Sequence, residues 1–130
     1  MIQLNRGENM DIFCKIINGE IPSNCPYENE YVKCIMDANP NSPGHLLILP
    51  KKHYTDALEM DEDTLKEIHK TAQTMIGKMM EGYEGIDGVV MIVNFGKPQI
   101  IKHYHLHLVP TYHDKEPNMS QEEACEILKK

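Results

Sequence analysis

The run Lys102-His103-Tyr104-His105-Leu106-His107-Leu108-Val109-Pro110 sets three histidines at alternate positions. Imidazole has an ordinary pKa close to neutrality, so it can serve as nucleophile, proton carrier or metal ligand. Successive side chains of a strand point to opposite faces. The alternation therefore predicts one face carrying His103, His105 and His107 and another carrying Tyr104, Leu106 and Leu108. Three readings of the histidine face compete. The rings could be polar groups on a wet strand face, although seven histidines would seldom place three this way by chance. They could bind a metal, since His-x-His on a strand supplies two ligands of a zinc site. Or they could work on a phosphoryl group, one as nucleophile and others as donors to its oxygens.

Electrostatics bears on the phosphoryl reading. Two imidazolium charges about 7 Å apart, the spacing given by strand rise, repel by roughly 2 kcal/mol at an effective dielectric of about 20. That disfavours three simultaneous charges and holds at least one ring neutral near neutrality. A neutral ring can attack phosphorus while a charged neighbour protonates the leaving group. Nearby polar groups suit such a ligand: Asn94 and Gln99 flank Gly96 and Pro98 just before the histidines. Upstream, the stretch from Gly44 to His53 brings His45 and His53 to the two ends of an apolar run.

The hydrophobic pattern indicates the elements that must carry these residues. Tyr31–Met36 and Gly44–Leu49 read as two strands that could pair, joined by a loop from Asp37 to Gly44 saturated with turn residues. The spacing of Leu65, Ile68, Ala72, Met75 and Met79 predicts one long amphipathic helix from about Glu62 to Glu81. Asp61 can cap it, Met60 and Leu65 can form a hydrophobic staple, and Gly82 can end it. Met75, Met79 and Met80 read as core filling rather than as a metal site. A short apolar helix or turn from Asp11 stops at Asn18-Gly19, and Val89–Asn94 is a further strand. Ser120 and Glu123 form a capping-box pattern ahead of Ala124, Ile127 and Leu128, so a short terminal helix is expected. The order predicts an α+β fold with a mainly antiparallel sheet.

The 130 residues fit one compact domain. With 20 Asp and Glu against 13 Lys and Arg, the charge argues against binding duplex nucleic acid through phosphates. Cys14, Cys25, Cys34 and Cys125 include no C-x-x-C pair, so reduced thiols are expected. Met1 to Asn9 has no apolar signal-peptide core, and no stretch approaches the roughly 18 apolar residues of a membrane span. The expectation is a cytoplasmic protein.

Taken together, these segments resemble the histidine-triad (HIT) superfamily, whose hallmark is His-φ-His-φ-His-φ-φ with φ apolar. His103 to Val109 matches it throughout. Ile12 to Pro22, the loop at Asp37, and Gly44-His45 through Lys52-His53 follow in the family order, and the Hint-like nucleotide-binding branch is the nearest in pattern. The match covers about residues 11–110, leaving 1–10 as a flexible leader and 111–130 as an extension with a short helix. The resemblance implies a five-stranded, mainly antiparallel sheet with one long and one short helix, and a homodimer that joins two sheets. It also implies release of a nucleoside monophosphate, usually AMP, from a phosphoramidate, acyl phosphate or dinucleotide. By position, His105 is the nucleophile that forms a nucleotidyl-histidine. His103 orients it, and His107 contacts phosphate and helps the leaving group depart. His45 lines the phosphate site, Asp37 binds the ribose hydroxyls, and Asn94 and Gln99 are phosphate-side polar groups. Ile12, Phe13, Ile16 and Ile21 form the base pocket. His53 matches a common family position without a catalytic role.

The chain departs from the family pattern in two places. The loop from Asn94 to Gln99 is shorter, with Pro98 before Gln99, and Ile100 stands where a phosphate-contacting Ser or Thr commonly follows. Some bacterial members hold a structural zinc through Cys-x-x-Cys and two histidines, whereas Asp11 and Cys14 stand at those positions here. An Asp11, Cys14, His45, His103 set would be the equivalent. With one thiolate missing, no metal is expected to be required. The alternative to an enzyme is a purine-nucleotide-binding or zinc-binding regulatory protein with low turnover.

Overall fold

The computed structural model describes residues 11–130, so the expected leader lies outside the described residues. Helix α1 (Ile12–Ile17) is short and begins where Asp11 Oδ1 accepts from Cys14 N at 2.7 Å. Five strands follow: β1 (Tyr27–Glu28), β2 (Val32–Met36), β3 (Leu46–Pro50), β4 (Ile86–Ile92) and β5 (Leu106–Tyr112). They form one antiparallel sheet in the order β1-β2-β3-β5-β4. Helix α2 (Glu62–Gly82) connects β3 to β4, and α3 (Gln121–Lys129) closes the described chain. The α+β expectation and the five-stranded sheet are both met.

The sheet is covered on two sides, which is why β2 and β3 read as nearly continuous apolar runs. Cys34, Met36, Leu46, Ile48, Tyr104, Leu106 and Leu108 face α2 and α3 in the main core. Ile35, Leu47 and Leu49 face the other way, against Phe13 and Ile16 of α1. That alternation is the predicted period of two, and the structure puts the apolar set of the histidine segment on the α2 side. The ladder itself starts later than expected. β5 begins at Leu106, so His103, Tyr104 and His105 precede it, with Tyr104 N donating to Tyr54 O at 2.7 Å.

α2 matches its predicted span and cap, with Asp61 Oδ1 accepting from Thr64 N at 2.8 Å. Ile68, Ala72, Met75 and Met79 are buried, so the methionines at 75 and 79 do fill the core. Leu65 and Met80 are the exceptions, being 49% and 46% exposed, so Met80 does not fill the core as expected. The inner face runs through Thr64, Ile68 and Thr71, one residue to the side of Leu65. Gly82 is the last residue of the helix, as expected. Tyr83 is the C-cap, and a Cβ on Gly82 would collide with Ile127 of α3. Helix α3 carries the predicted capping box between Ser120 and Glu123 and buries Ala124, Cys125 and Leu128. None of the four cysteines is in a disulfide. Among the described residues, no helix is long and apolar enough to cross a membrane.

Candidate active site

A cavity of about 790 Å³ opens between α1, the loop after β2 and the approach to β5. Ile12, Phe13, Ile16, Ile21 and Leu47 form an apolar wall, and Asp37, Asn94, His105 and His107 supply polar groups. The structure thus brings together all four residues of the expected base pocket and four of the expected polar residues.

His105 is held by its own backbone neighbourhood. Its Nδ1 lies 2.7 Å from the carbonyl oxygen of His103. A carbonyl only accepts, so Nδ1 carries the proton and Nε2 keeps a lone pair. Burial chiefly lowers the His105 pKa, opposed in part by the carbonyl bond, while His103 adds to the lowering. The Phe13 ring stands edge-on at 4.9 Å between centroids. The contact of His103 with the His105 ring nitrogen thus runs through its backbone carbonyl rather than its ring.

A second pair of rings completes the polar end. His45 Nδ1 accepts from Asn41 N at 3.1 Å, which puts its proton on Nε2. That Nε2 lies 3.0 Å from His107 Nδ1 and donates to it. In the neutral state the remaining His107 proton is then on Nε2. The three tautomers follow from two backbone contacts, one at each end of the chain of rings. Burial foremost, then the neighbouring His105 and His45, lower the His107 pKa to about 4. Burial also lowers that of His45, against the opposing effect of Asp37, whose Oδ2 is 3.6 Å from Nε2. The His105 and His107 ring centroids are 4.8 Å apart, closer than strand rise alone suggested. Such proximity reinforces the preference for neutral rings.

The His103 ring belongs to a different cluster. It is fully buried, with Nε2 donating to Pro50 O at 3.1 Å. Its Nδ1 faces Cys14 Sγ at 3.5 Å and Asp11 Oδ2 at 3.4 Å. His53 Nε2 lies 3.2 Å from the same Asp11 oxygen. Asp11, Cys14, His53 and His103 each offer one ligand atom within 4.8 Å of the others. Burial opposes ionisation of Asp11, but hydrogen bonds from His103 and from Cys14 N outweigh it and hold the carboxyl well below its usual range.

One thiol, two imidazoles and a carboxylate are a donor set that zinc accepts, and four ligands would close its coordination. The His103 Nε2–H bond to a carbonyl is the outer contact that commonly orients a metal-bound imidazole. The expected set named His45 in place of His53, and this is corrected by the structure. β3 runs between the two at about 3.3 Å per residue, so they lie at opposite ends of the strand. His45 joins Asp37 and His107 instead.

Gln99, like His45 and His103, is an expected site residue that does not line the cavity. Its side-chain amide donates to Thr55 O at 2.6 Å in a buried position, and its neighbours Pro98 and Ile100 line the cavity instead. Gln121 and Glu122, at the start of α3, are among the lining residues that the sequence pattern does not indicate. The capping box indicates a helix there. Nothing local indicates its partners, which are 84 and 76 positions away for Gln121.

Known proteins resemble the chain in both sequence and fold. The HIT domain pattern matches residues 18–114. An uncharacterized HIT-like protein of Methanocaldococcus jannaschii is 42% identical over 109 residues, covering 79% of this chain and 80% of its own length. An adenylylsulfatase of Arabidopsis thaliana is 37% identical over 105 residues, covering 79% of this chain and 53% of its own. The crystal structure of a zinc-bound histidine triad family protein from Mycobacterium smegmatis superposes with a TM-score of 0.81 at 31% identity, covering 91% of this chain and 89% of that one. With the triad, the sheet order and the flanking segments all in place, the chain belongs to the HIT domain family.

Proposed function

We propose that this protein releases a nucleoside monophosphate, AMP above all, from a phosphoramidate, acyl phosphate or dinucleotide through a nucleotidyl-His105 intermediate. The observation that carries this reading is the fixed pair of tautomers: a lone pair on His105 Nε2 beside a ring that holds its proton on His107 Nε2. His105 Nε2 attacks the α-phosphorus and a P–N bond forms. The bond from phosphorus to the leaving group breaks, and the leaving group takes the electron pair and a proton from His107. Water then attacks phosphorus and the P–N bond breaks, the proton of the water returning to His107, which frees the monophosphate and restores both rings. Bound phosphate is anionic and raises the neighbouring imidazole pKa values, so His107 takes up a second proton and acts as an imidazolium acid during turnover.

The base lies in the apolar wall of Ile12, Phe13, Ile16 and Ile21, and Asp37 takes the ribose hydroxyls. Asn94 meets the phosphate side, while Gln99 braces the loop through Thr55. The adenylyl chemistry in the name of the Arabidopsis relative supports AMP as the released group. Asp11, Cys14, His53 and His103 would hold a structural zinc, which supplies a fixed joint between α1 and the segment before β5. β4 is an edge of the sheet with Val90 and Met91 half exposed, and pairing with the same strand of a second copy gives the homodimer.

Incubation with adenosine phosphoramidate tests the enzyme reading. AMP release and an adenylyl adduct on His105 in the wild type, both lost in His105→Asn, are the expected result. A low-turnover nucleotide-binding protein is the second reading, favoured by the engagement of Gln99 with Thr55 and the 91% exposure of Ile100. AMP binding without turnover or adduct on phosphoramidate, acyl phosphate and dinucleotide substrates establishes it instead.

A further inference from the structure

The first residue of α3 reaches back to the loop that carries Asp37 and His45. Gln121 Nε2 donates to Asp37 O at 2.9 Å and to His45 O at 3.0 Å. Its Oε1 accepts from Gly44 N at 2.7 Å. A single amide therefore ties both ends of the loop between β2 and β3. His45 O also accepts from Asp37 N at 3.0 Å, so the clamp and the bond that closes the loop share an acceptor. Opposite the amide, Tyr83 donates its hydroxyl to Gly44 O at 3.1 Å, and a Cβ on Gly44, whose φ is +87°, would strike that ring. Asp37 Oδ1 accepts from Asn39 N at 2.9 Å, so the carboxylate takes its direction from the loop backbone. α3 is itself well anchored, with Leu128 buried and its carbonyl accepting from Lys78 Nζ at 3.0 Å.

From this geometry we infer that Gln121 is a positioning residue for recognition of the ligand's sugar hydroxyls, acting through Asp37. The inference rests on the nucleotide reading of the cavity. Without the amide, the Asp37 and His45 carbonyls lose a donor each and Gly44 N loses its acceptor. The loop then samples several arrangements, of which only some aim the Asp37 carboxylate at a ribose. The loss falls on the hydroxyl contacts and leaves the apolar wall of the base pocket, built on α1, the segment after it at Ile21, and β3, unchanged. A structural lesion would weaken every ligand alike, whereas this one depends on whether the ligand has hydroxyls.

The test compares AMP with 2′,3′-dideoxyadenosine monophosphate by calorimetry on the full chain. Wild type is expected to prefer AMP by roughly tenfold, corresponding to about 1.4 kcal/mol. In Gln121→Met the preference should collapse to about twofold or less, with the dideoxy affinity kept within about twofold of wild type. Gln121→Glu keeps the acceptor for Gly44 and loses both donors, so it should show the same collapse. The ratio of affinities does not depend on the folded fraction, so partial unfolding cannot mimic the effect. Equal weakening of both ligands, or an unchanged ratio, in these variants overturns the inference. Failure of the wild type to bind AMP, or to prefer it, overturns the nucleotide reading and the inference with it. The two failures are separated by whether wild type or only the variants misbehave.

Discussion

His45 donates from Nε2 to His107 Nδ1 across 3.0 Å, although the two residues lie 62 positions apart in the chain. The backbone N–H of Asn41 fixes the tautomer of the first ring, and the first ring fixes that of the second. A loop amide thereby decides which nitrogen of His107 holds a proton. The His103 carbonyl does the same for His105 at the other end of the row. The site comes with its proton inventory set by backbone groups, which do not titrate.

Neutral rings make stability depend on pH. The His107 pKa is 6.5 in a model peptide and is lowered to about 4 here, with burial the main cause. In acid the unfolded chain takes up this proton first. The contribution of His107 is therefore fully present above pH 6.5 and is lost as pH falls through this window toward 4. His45, also lowered, acts in the same direction. Melting temperature measured across this range should fall with acidification, and His107→Gln should make the fall shallower. An unaltered slope in that variant contradicts the assignment.

Metal removal gives a separate readout. Dialysis against a chelator should lower the melting temperature, and zinc at about a hundredfold excess over its Kd should restore about 2.7 kcal/mol. Cobalt in place of zinc should give visible absorption with a thiolate charge-transfer band, absent in Cys14→Ser. Asp11→Cys should bind zinc more tightly than wild type. A melting temperature indifferent to both chelator and zinc rules out the four-residue site.

Two glycines of α2 should respond to alanine with opposite signs. Nothing lies near a Cβ added at Gly77, so Gly77→Ala should stabilise the helix by about 1 kcal/mol. A Cβ at Gly82 meets Ile127, and relieving that contact moves α3, so Gly82→Ala should destabilise by about 1–3 kcal/mol. Urea unfolding of the two variants checks the signs.

Edge pairing through β4 predicts a dimer in solution by light scattering. A charge there disfavours strand addition, so Met91→Lys should convert the dimer to a monomer of 14.9 kDa. A dimer that survives the substitution places the interface elsewhere.

Much was legible in the sequence because it rests on local periodicity and local caps. The alternation of His103, His105 and His107 against Tyr104, Leu106 and Leu108 fixed the two faces of that segment before any fold was known. The stripe through Ile68, Ala72, Met75 and Met79 and the caps at Asp61 and Ser120 did the same for the two longer helices. Leu65 departs from the expected stripe because one more apolar residue at helical spacing does not reveal where the centre of the buried face falls.

Other features depend on which distant segments meet, and no periodicity encodes that. Tertiary structure put His53 rather than His45 beside Asp11 and Cys14, because the direction of β3 separates its two ends. It turned Gln99 toward Thr55 and brought Gln121 onto the Asp37 loop. It also decided the tautomers, since a proton position follows from whether the nearest partner is a carbonyl or an N–H. The sequence determined which side chains are available for chemistry and on which face they lie. The fold alone decided which atoms of those side chains are donors, because a hydrogen bond is set by a contact across space.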